Sequence, residues 1–475
     1  MPSPSLLELS RWQFAFTVAF HMTFPALTVG LSLFLAFSYG AYLRTRNPVY
    51  LQIFRFWKKI FAVGFALGVV SGTVITFQFG LNWGRFAHAT GPILGPIIGM
   101  EVVTAFFVEA GFIGIMLYGD GRVSQRMMFV STCVVALGTM MSTFWILSAN
   151  SWMQQPAGFK ISGGEFTPSD WGAAIFTQAF WWRFPHMVLA VLISAAWLIA
   201  GIAAYYLLKG RVRSFARRTL TMSLGVLAVL LPLQLQIGDH VASHMAKVQP
   251  AKLQAWEGNW NSTNTGYNVF VVPNMDQQRN SVTITIPKMG SVIGKDLSGN
   301  TPTPGLAQTP RRDQPNMWGP FYGFRAMFYS SFLMFAAVMV GTVLLLRRRL
   351  FQARWFHTWL VWMTPIGVIA VIGGWVLAEM GRQPFVVYGQ LRTSSGVSRL
   401  ASGSLVWSFV LFVAIYLALL AVWIGYVVRS VRRGPDPLDV PMARPDVPRE
   451  PGDGEGQFPG DARSDRSAPG MGVRT

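Results

Sequence analysis

Charged residues are few in this chain. Asp, Glu, Lys and Arg make up 12% of its 475 residues, about half the ~25% of an ordinary soluble domain. That excludes a conventional water-soluble enzyme. Cysteine is nearly absent, and the single Cys133 leaves no internal disulfide and no thiolate metal cluster from this chain alone. Histidine is sparse, with six in all. Acidic residues are outnumbered 20 to 39, for a net charge of +19. A basic surplus of that size suits nucleic acid, but its placement along the chain does not.

What is abundant is apolar sequence, 52% of the chain. It falls into nine runs of about the ~20 residues a bilayer requires: 12–42, 56–83, 95–119, 127–153, 182–208, 220–238, 321–346, 355–379 and 405–428. An all-α integral membrane protein is expected, with about nine transmembrane helices in bundles. The first run is too long for a signal-peptide core and no small-residue cleavage site follows it, so it is expected to be retained. Basic residues cluster on the side opposite the N-terminus: Arg44, Arg46, Arg55, Lys58 and Lys59; Arg122 and Arg126; Lys209, Arg211, Arg213, Arg217 and Arg218; Arg347, Arg348, Arg349 and Arg354; Arg429, Arg432 and Arg433. The positive-inside rule makes that side cytoplasmic. The surplus therefore reads as topology, and no nucleic-acid partner is expected.

The chain divides into 1–240, holding helices one to six, a polar outer loop over 241–320, helices seven to nine over 321–431, and a tail over 432–475. The loop shows strand-like alternation at "NVFVV" and "SVTITIP". The tail is rich in Pro, Gly and charge and is expected to be disordered and cytoplasmic. No internal repeat is evident, which counts against a transporter built on inverted repeats.

Polar residues inside the runs carry the next signal, because a charge at the bilayer centre costs at least ~2.5–3.5 kcal/mol. The run "GPIIGMEVVTAFFVEAGFIGIMLYG" holds Glu101 and Glu109. On a regular helix they stand ~80° apart in azimuth and ~12 Å apart in height, close enough for one polar track. His21 lies ~15 Å below the outer surface, counting the rise from Arg11. His186 and Met327 open the fifth and seventh runs and Glu379 closes the eighth, all on the outer side. Taken singly, each has a plain reading. A membrane His bonds a neighbouring helix, a Met packs, and Glu379 pairs with Arg382 three residues on. Trp375, one turn before Glu379, is then an interfacial tryptophan. Taken together they suit haem: His and Met are axial haem ligands, and a lone axial His or Glu leaves an iron position open for oxygen. A haem-copper site needs roughly six intramembrane histidines. Here His88, His240, His244 and His357 lie at or beyond the boundaries, which argues against copper. Two other classes stay open, a proton-coupled transporter and a cofactor-free structural subunit.

In "LSRWQFAFTVAFHMTFPALT", "FQFGLNW", "EVVTAFFVEAGF", "STFWILSANSWMQ", "RFPHMV", "FRAMF" and "AEMGRQPF", the chain resembles subunit I of the cytochrome bd ubiquinol oxidase family. The resemblance covers nearly everything but the tail. It implies a quinol:oxygen oxidoreductase of the bacterial cytoplasmic membrane, copper-free and electrogenic without pumping. The implied cofactors are a low-spin haem b, a high-spin haem b and a haem d or further haem b. By the same resemblance His186 and Met327 ligate the low-spin haem b, with Arg325 close by. His21 and Glu379 serve the high-spin pair, with Trp375 and Arg382 among the haem-binding residues. Glu101 and Glu109 match glutamates near the haem pair and in proton delivery. "QPAKLQAWEGNW" resembles the quinol-binding segment, with Lys252 and Glu257 at the family's positions; a carboxylate there accepts protons that quinol releases. Without that match, a loop Lys and Glu read as solvated. Phe385 stands where the family usually has Trp, and the loop is short, as in the cyanide-insensitive branch. The implied partners are a second membrane subunit, small accessory subunits, quinol and O2.

Overall fold

The computed structural model describes residues 4–293, 300, 304–398 and 402–437; the expected disordered tail lies almost wholly outside them. Among the described residues, 9 helices are long and apolar enough to cross a membrane. The first is broken. α1 (Pro4–Thr23) and α2 (Pro25–Thr45) meet at Phe24, because Pro25 has no N–H to donate and its ring presses on the His21 carbonyl. That carbonyl accepts from the Phe24 N–H instead, at 3.0 Å. The expected single helix is thus a kinked pair, bent in the turn that carries His21.

α3 (Pro48–Leu81) starts on Asn47, whose side chain accepts from the Val49 N–H at 3.0 Å, with Pro48 preset for the first turn. The third span begins earlier than expected, as α4 (Gly84–Glu101), and continues through a π turn at Val102–Phe106 into α5 (Phe107–Tyr118). After α6 (Gln125–Gln154), β1 (Phe159–Ser162) and β2 (Glu165–Pro168) form a hairpin. It turns at Gly163 and Gly164, whose φ of 60 and 88 favour glycine. α7 (Trp171–Ile175), α8 (Gln178–Leu208) and α9 (Arg213–Val248) follow, α9 running past the expected end at 238. The segment between α9 and the next span holds α10 (Pro250–Glu257), β3 (Tyr267–Asn274), β4 (Arg279–Ile286) and α11 (Met289–Ile293), with β3 and β4 antiparallel where the alternation lay. α12 (Trp318–Leu346) returns through the membrane. The eighth span is α13 (Arg354–Trp362) and α14 (Ile366–Met380), parted at Pro365. Then come β5 (Phe385–Val387), β6 (Leu391–Arg392), α15 (Thr393–Gly396) and α16 (Ser402–Arg433).

α8 is shared by two groups of helices. On one side α2 packs on α3, α6 and α8; on the other, α9, α13 and α14 pack on α8, and α12 packs on α9 and α14. Within its most apolar window 72% of α8 is buried, against 11% for α16, so α8 is central and α16 lies at the rim. Trp407, Leu411 and Val422 of α16 face outward, as suits lipid or a partner helix. In lipid there is no hydrophobic gain between helices, so close packing carries their association. Gly323 of α12 shows this: a Cβ there would meet the Gly373 carbonyl of α14 at 2.7 Å. α10 and β3 fold over the start of α12 on Ala255, Trp260, Val271, Met317 and Phe321.

Candidate functional site

Three of the residues expected to ligate haem lie against a glycine of a facing helix. A Cβ on Gly72 of α3 would come within 3.1 Å of the His21 ring; one on Gly238 of α9 within 3.2 Å of His186; one on Gly374 of α14 within 3.1 Å of the Met327 sulfur. Each glycine keeps room that a larger side chain would close. His21 Nδ1 is set by the Ser71 hydroxyl at 3.0 Å, which orients the ring and presents Nε2 for ligation. His186 keeps a buried Nδ1 with no hydrogen-bond partner, while its Nε2 faces the Gln234 amide at 3.4 Å. The other histidines are engaged elsewhere. His244 Nε2 meets Gln155 Oε1 at 2.8 Å, His357 Nε2 the Leu350 carbonyl at 2.8 Å, and His240 Nδ1 the Gln236 carbonyl at 2.9 Å. His88 lies 3.4 Å from Glu165.

Glu379, at the C-terminal end of α14, is held from three directions. Asn150 Nδ2 donates to Oε1 at 3.0 Å and Gln154 Nε2 at 3.3 Å, while Arg382 pairs with Oε2. The expected helix-end ion pair is therefore present. Arg183 reaches the same group through Asn150 Oδ1, at 2.6 Å, and Lys252 through Gln154 Oε1, also at 2.6 Å. Three basic side chains gather about one carboxylate. Lys252 and Arg382 are each 3% exposed, and buried charge without counter-charge is costly. Arg382 Nε and Nη1, with Trp375 Nε1, are buried and have no hydrogen-bond partner. Surplus buried positive charge with unused donors is a site fitted to receive an anion.

The segment between α9 and α12 meets this cluster through α10. Burial pushes Lys252 well below the ordinary lysine value, with Arg183 lowering it further against the pull of Glu379. Burial pushes Glu257 above the ordinary carboxylate range, opposed by Arg325 and by the Trp256 N–H, which donates to Glu257 Oε1 at 2.9 Å. Neither side chain is the solvated loop residue that sequence alone would give. Arg325, expected beside the low-spin ligands, commits its donors to the loop instead. Nε and Nη2 donate to the Asn268 carbonyl, Nη1 to the Trp256 carbonyl at 2.6 Å, and the guanidinium lies 4.2 Å over Phe321. It fastens α10 and β3 to α12.

Glu101 and Glu109 both face α6. Ser142 donates to Glu101 Oε1 at 2.8 Å. Glu109 is 5% exposed and lies over Gly138, where a Cβ would be 2.5 Å from its Cγ. The regular-helix spacing does not hold between them, because the π turn at Val102–Phe106 intervenes. A π turn absorbs one extra residue. Eight positions then act as seven, nearly two full turns, and the azimuth difference falls from ~80° to ~20°. Sequence reasoning missed this, and it missed the role of α6. Gly138, Ser142, Asn150 and Gln154 recur at multiples of four, a stripe ~24 Å long by helical rise. It touches Glu109, Glu101, Glu379 and Lys252 in turn. Their spacing was the available signal, hidden because small and amide residues are ordinary helix-packing groups in membranes.

Fold and site together define a polytopic membrane protein whose polar centre is built from facing helices, as in bundle proteins that hold cofactors. The chain belongs to the cytochrome bd terminal oxidase subunit I family, whose model matches residues 9–435. It is 31% identical to the cytochrome bd ubiquinol oxidase subunit 1 of Bacillus subtilis (strain 168), over 90% of this chain and 94% of that protein. It is also 31% identical to the cytochrome bd-II ubiquinol oxidase subunit 1 of Escherichia coli (strain K12), over 91% and 98%. Its structure is similar to the bd oxidase from Geobacillus thermodenitrificans, with TM-score 0.83 and 28% identity over 92% of this chain and 100% of that one. The protein is thus a multi-pass oxidoreductase of a respiratory chain. The family implies haem, which needs axial ligands, room for a flat ring and cationic donors for its propionates. The glycine-backed His21, His186 and Met327 and the unfilled donors of Arg382 and Trp375 fit those needs.

Proposed function

We propose that this chain is the haem-bearing subunit of a quinol oxidase. It oxidises quinol at the outer loop and reduces O2 to water with protons drawn from the arginine-rich, cytoplasmic face, which charges the membrane without a pump. The observation that carries the reading is the Gln154 junction, where one buried amide joins Lys252 of the quinol-like segment to Glu379 of the expected haem site. Haem, when bound, would supply one-electron carriers and an iron position for O2. His186 and Met327 would hold a low-spin haem b, His21 and Glu379 a high-spin haem b and a haem d or further haem b, and Arg382 and Trp375 would receive propionates.

The chain's own groups then move protons. Glu257, once ionised, accepts a proton from a quinol hydroxyl. Lys252, with its proton affinity lowered by burial, exchanges a proton nearer neutral pH than a surface lysine does. Glu109 and Glu101, turned to one face, pass protons from the cytoplasmic half toward the outer half of the membrane. The implied partner is a second membrane subunit, with small accessory subunits, and the apolar rim of α16 is free to meet a helix of such a partner. No nucleic acid is bound. Pyridine haemochrome analysis of the purified protein, with a reduced-minus-oxidised spectrum and quinol-dependent O2 uptake, tests the reading. Haem and quinol-driven O2 consumption are expected; a haem-free protein that couples proton entry to solute movement would make it a transporter instead.

A further inference from the structure

The arginine-rich face holds an open cleft of about 500 Å³ between the first turns of α3 and α9 and the connection after α12. Arg217, Arg218, Ser214 and Met222 of α9 line it, with Tyr50 of α3 and Phe351, and no carboxylate is among its lining residues. Each guanidinium rests on an aromatic ring from a different element, Arg217 at 5.1 Å over Phe351 and Arg218 at 5.3 Å over Tyr50. Two long side chains are thereby held in place while their N–H edges stay open. Ser214, in the first turn of α9, where no side chain caps the helix, is among the lining residues. Stacked guanidiniums and a serine hydroxyl together match the oxygens of a phosphate.

The cleft also continues into the membrane. From Met222, the residues Val226, Val229 and Leu233 follow at helical spacing on one face of α9 and are 45%, 60% and 43% exposed. A soluble phosphate gains nothing from that stripe, whereas an acyl chain packs along it. We propose that this cleft binds an anionic phospholipid, with the headgroup phosphate between Arg217 and Arg218 and an acyl chain along the α9 stripe. Such basic clefts at helix ends are where anionic headgroups gather. The site is at the membrane face opposite Lys252 and Glu379 and uses none of the residues assigned to quinol or O2.

The test is a titration of delipidated holoenzyme in detergent with dioleoyl phosphatidylglycerol, dioleoyl phosphatidylcholine and inorganic phosphate, counting retained molecules by native mass spectrometry. The haem spectrum of each variant verifies its folding. Arg217→Gln/Arg218→Gln should weaken phosphatidylglycerol retention about thirtyfold, the effect of two basic side chains at an anionic headgroup. Thr221→Glu, which adds a carboxylate to the cleft wall and removes no arginine, should do the same. Arg347→Gln/Arg348→Gln, on the same face but outside the cleft, should match wild type. Equal retention by wild type and the Arg217/Arg218 variant overturns the site, as does an equal loss in the Arg347/Arg348 variant. Phosphatidylcholine bound as well as phosphatidylglycerol overturns the anionic headgroup. Inorganic phosphate that displaces phosphatidylglycerol at equal phosphate concentration overturns the lipid and makes the occupant a soluble anion.

Discussion

Lys252 and Glu379 share one amide: Lys252 Nζ donates to Gln154 Oε1 at 2.6 Å, and Gln154 Nε2 donates to Glu379 Oε1 at 3.3 Å. Gln249 braces the same side chain, its Nε2 donating to Gln154 Oε1 at 3.1 Å. The Lys252 amine in the quinol-like segment and a carboxylate in the expected haem site are thus fixed relative to each other by a fully buried residue that carries no charge.

Gln154→Leu should separate the two ends while keeping the volume. Losing hydrogen bonds to two charged groups costs roughly 1.5–3 kcal/mol each, so quinol-driven O2 uptake should fall tenfold or more, on the order of 1.4 kcal/mol per factor of ten. Haem content and O2 uptake driven by a small one-electron donor should change far less. Steady-state oxygen-electrode assays with the two donors check this. An equal loss with both would place Gln154 in the haem site alone.

The glycines beneath the expected ligands give a selective test. Gly238→Ala pushes into the His186 ring and Gly72→Ala into that of His21, an overpacking of the kind that costs ~1–3 kcal/mol. Gly238→Ala should diminish the low-spin band and spare the high-spin absorbance, and Gly72→Ala should do the reverse. His186→Ala and Met327→Leu should each remove the low-spin band outright. Gly425 of α16 has nothing within 4 Å, so Gly425→Ala should leave all bands intact. Reduced-minus-oxidised spectra at equal protein decide the matter.

The spans were legible in the sequence because a bilayer demands long apolar runs, and the polar candidates stood out because charge inside such runs is costly. What stayed hidden depended on neighbours. The start of α4 at Gly84 reads as loop, since Arg85, His88 and Pro92 interrupt the apolar pattern. The π turn after Glu101 leaves no compositional mark. Asn150 and Gln154 look like ordinary packing residues until Glu379 and Lys252 are brought to them from 225 and 98 residues away. Arg325 stood out through the family resemblance, and its contacts with a loop folded over from α10 and β3 could not be read from the sequence.

Glu257 should impose a pH limb on quinol oxidation. Burial raises its pKa above the ordinary carboxylate value of 4.5, with Arg325 and the Trp256 N–H opposing. The native state therefore binds more protons than the unfolded chain between 4.5 and the raised value, and this group's contribution to stability falls as pH rises through that window. Activity runs the other way, since only the ionised form is a base. kcat/KM for quinol should rise with pH along a limb centred above 4.5. Trp256→Phe removes a donor to the carboxylate and should move the limb to higher pH; Glu257→Gln should flatten it. A limb that survives Glu257→Gln unchanged belongs to another group.

Glu109 and Gly138 provide the sharpest test of the proton route, because one question can be put to both sides of a single contact. A merely tolerated Glu109 would accept Gln without loss, since the amide keeps shape and hydrogen bonding but does not ionise near neutral pH. A relay needs a group that gains and loses a proton, so Glu109→Gln should slow O2 reduction with the haems retained. Gly138→Ala leaves Glu109 chemically intact but puts a Cβ 2.5 Å from its Cγ, turning the carboxyl off the face it shares with Glu101. It should slow proton delivery as well, by a smaller factor. Glu101→Gln keeps an acceptor for the Ser142 hydroxyl and removes the charge, and it should also disturb the haem spectrum if Glu101 stands nearer the haem pair. Flow-flash oxidation of fully reduced enzyme, with a pH dye following proton uptake, separates these cases. Slowed uptake in Glu109→Gln and Gly138→Ala with full haem content is the expected result, and wild-type uptake in a haem-replete Glu109→Gln enzyme would remove Glu109 from the route.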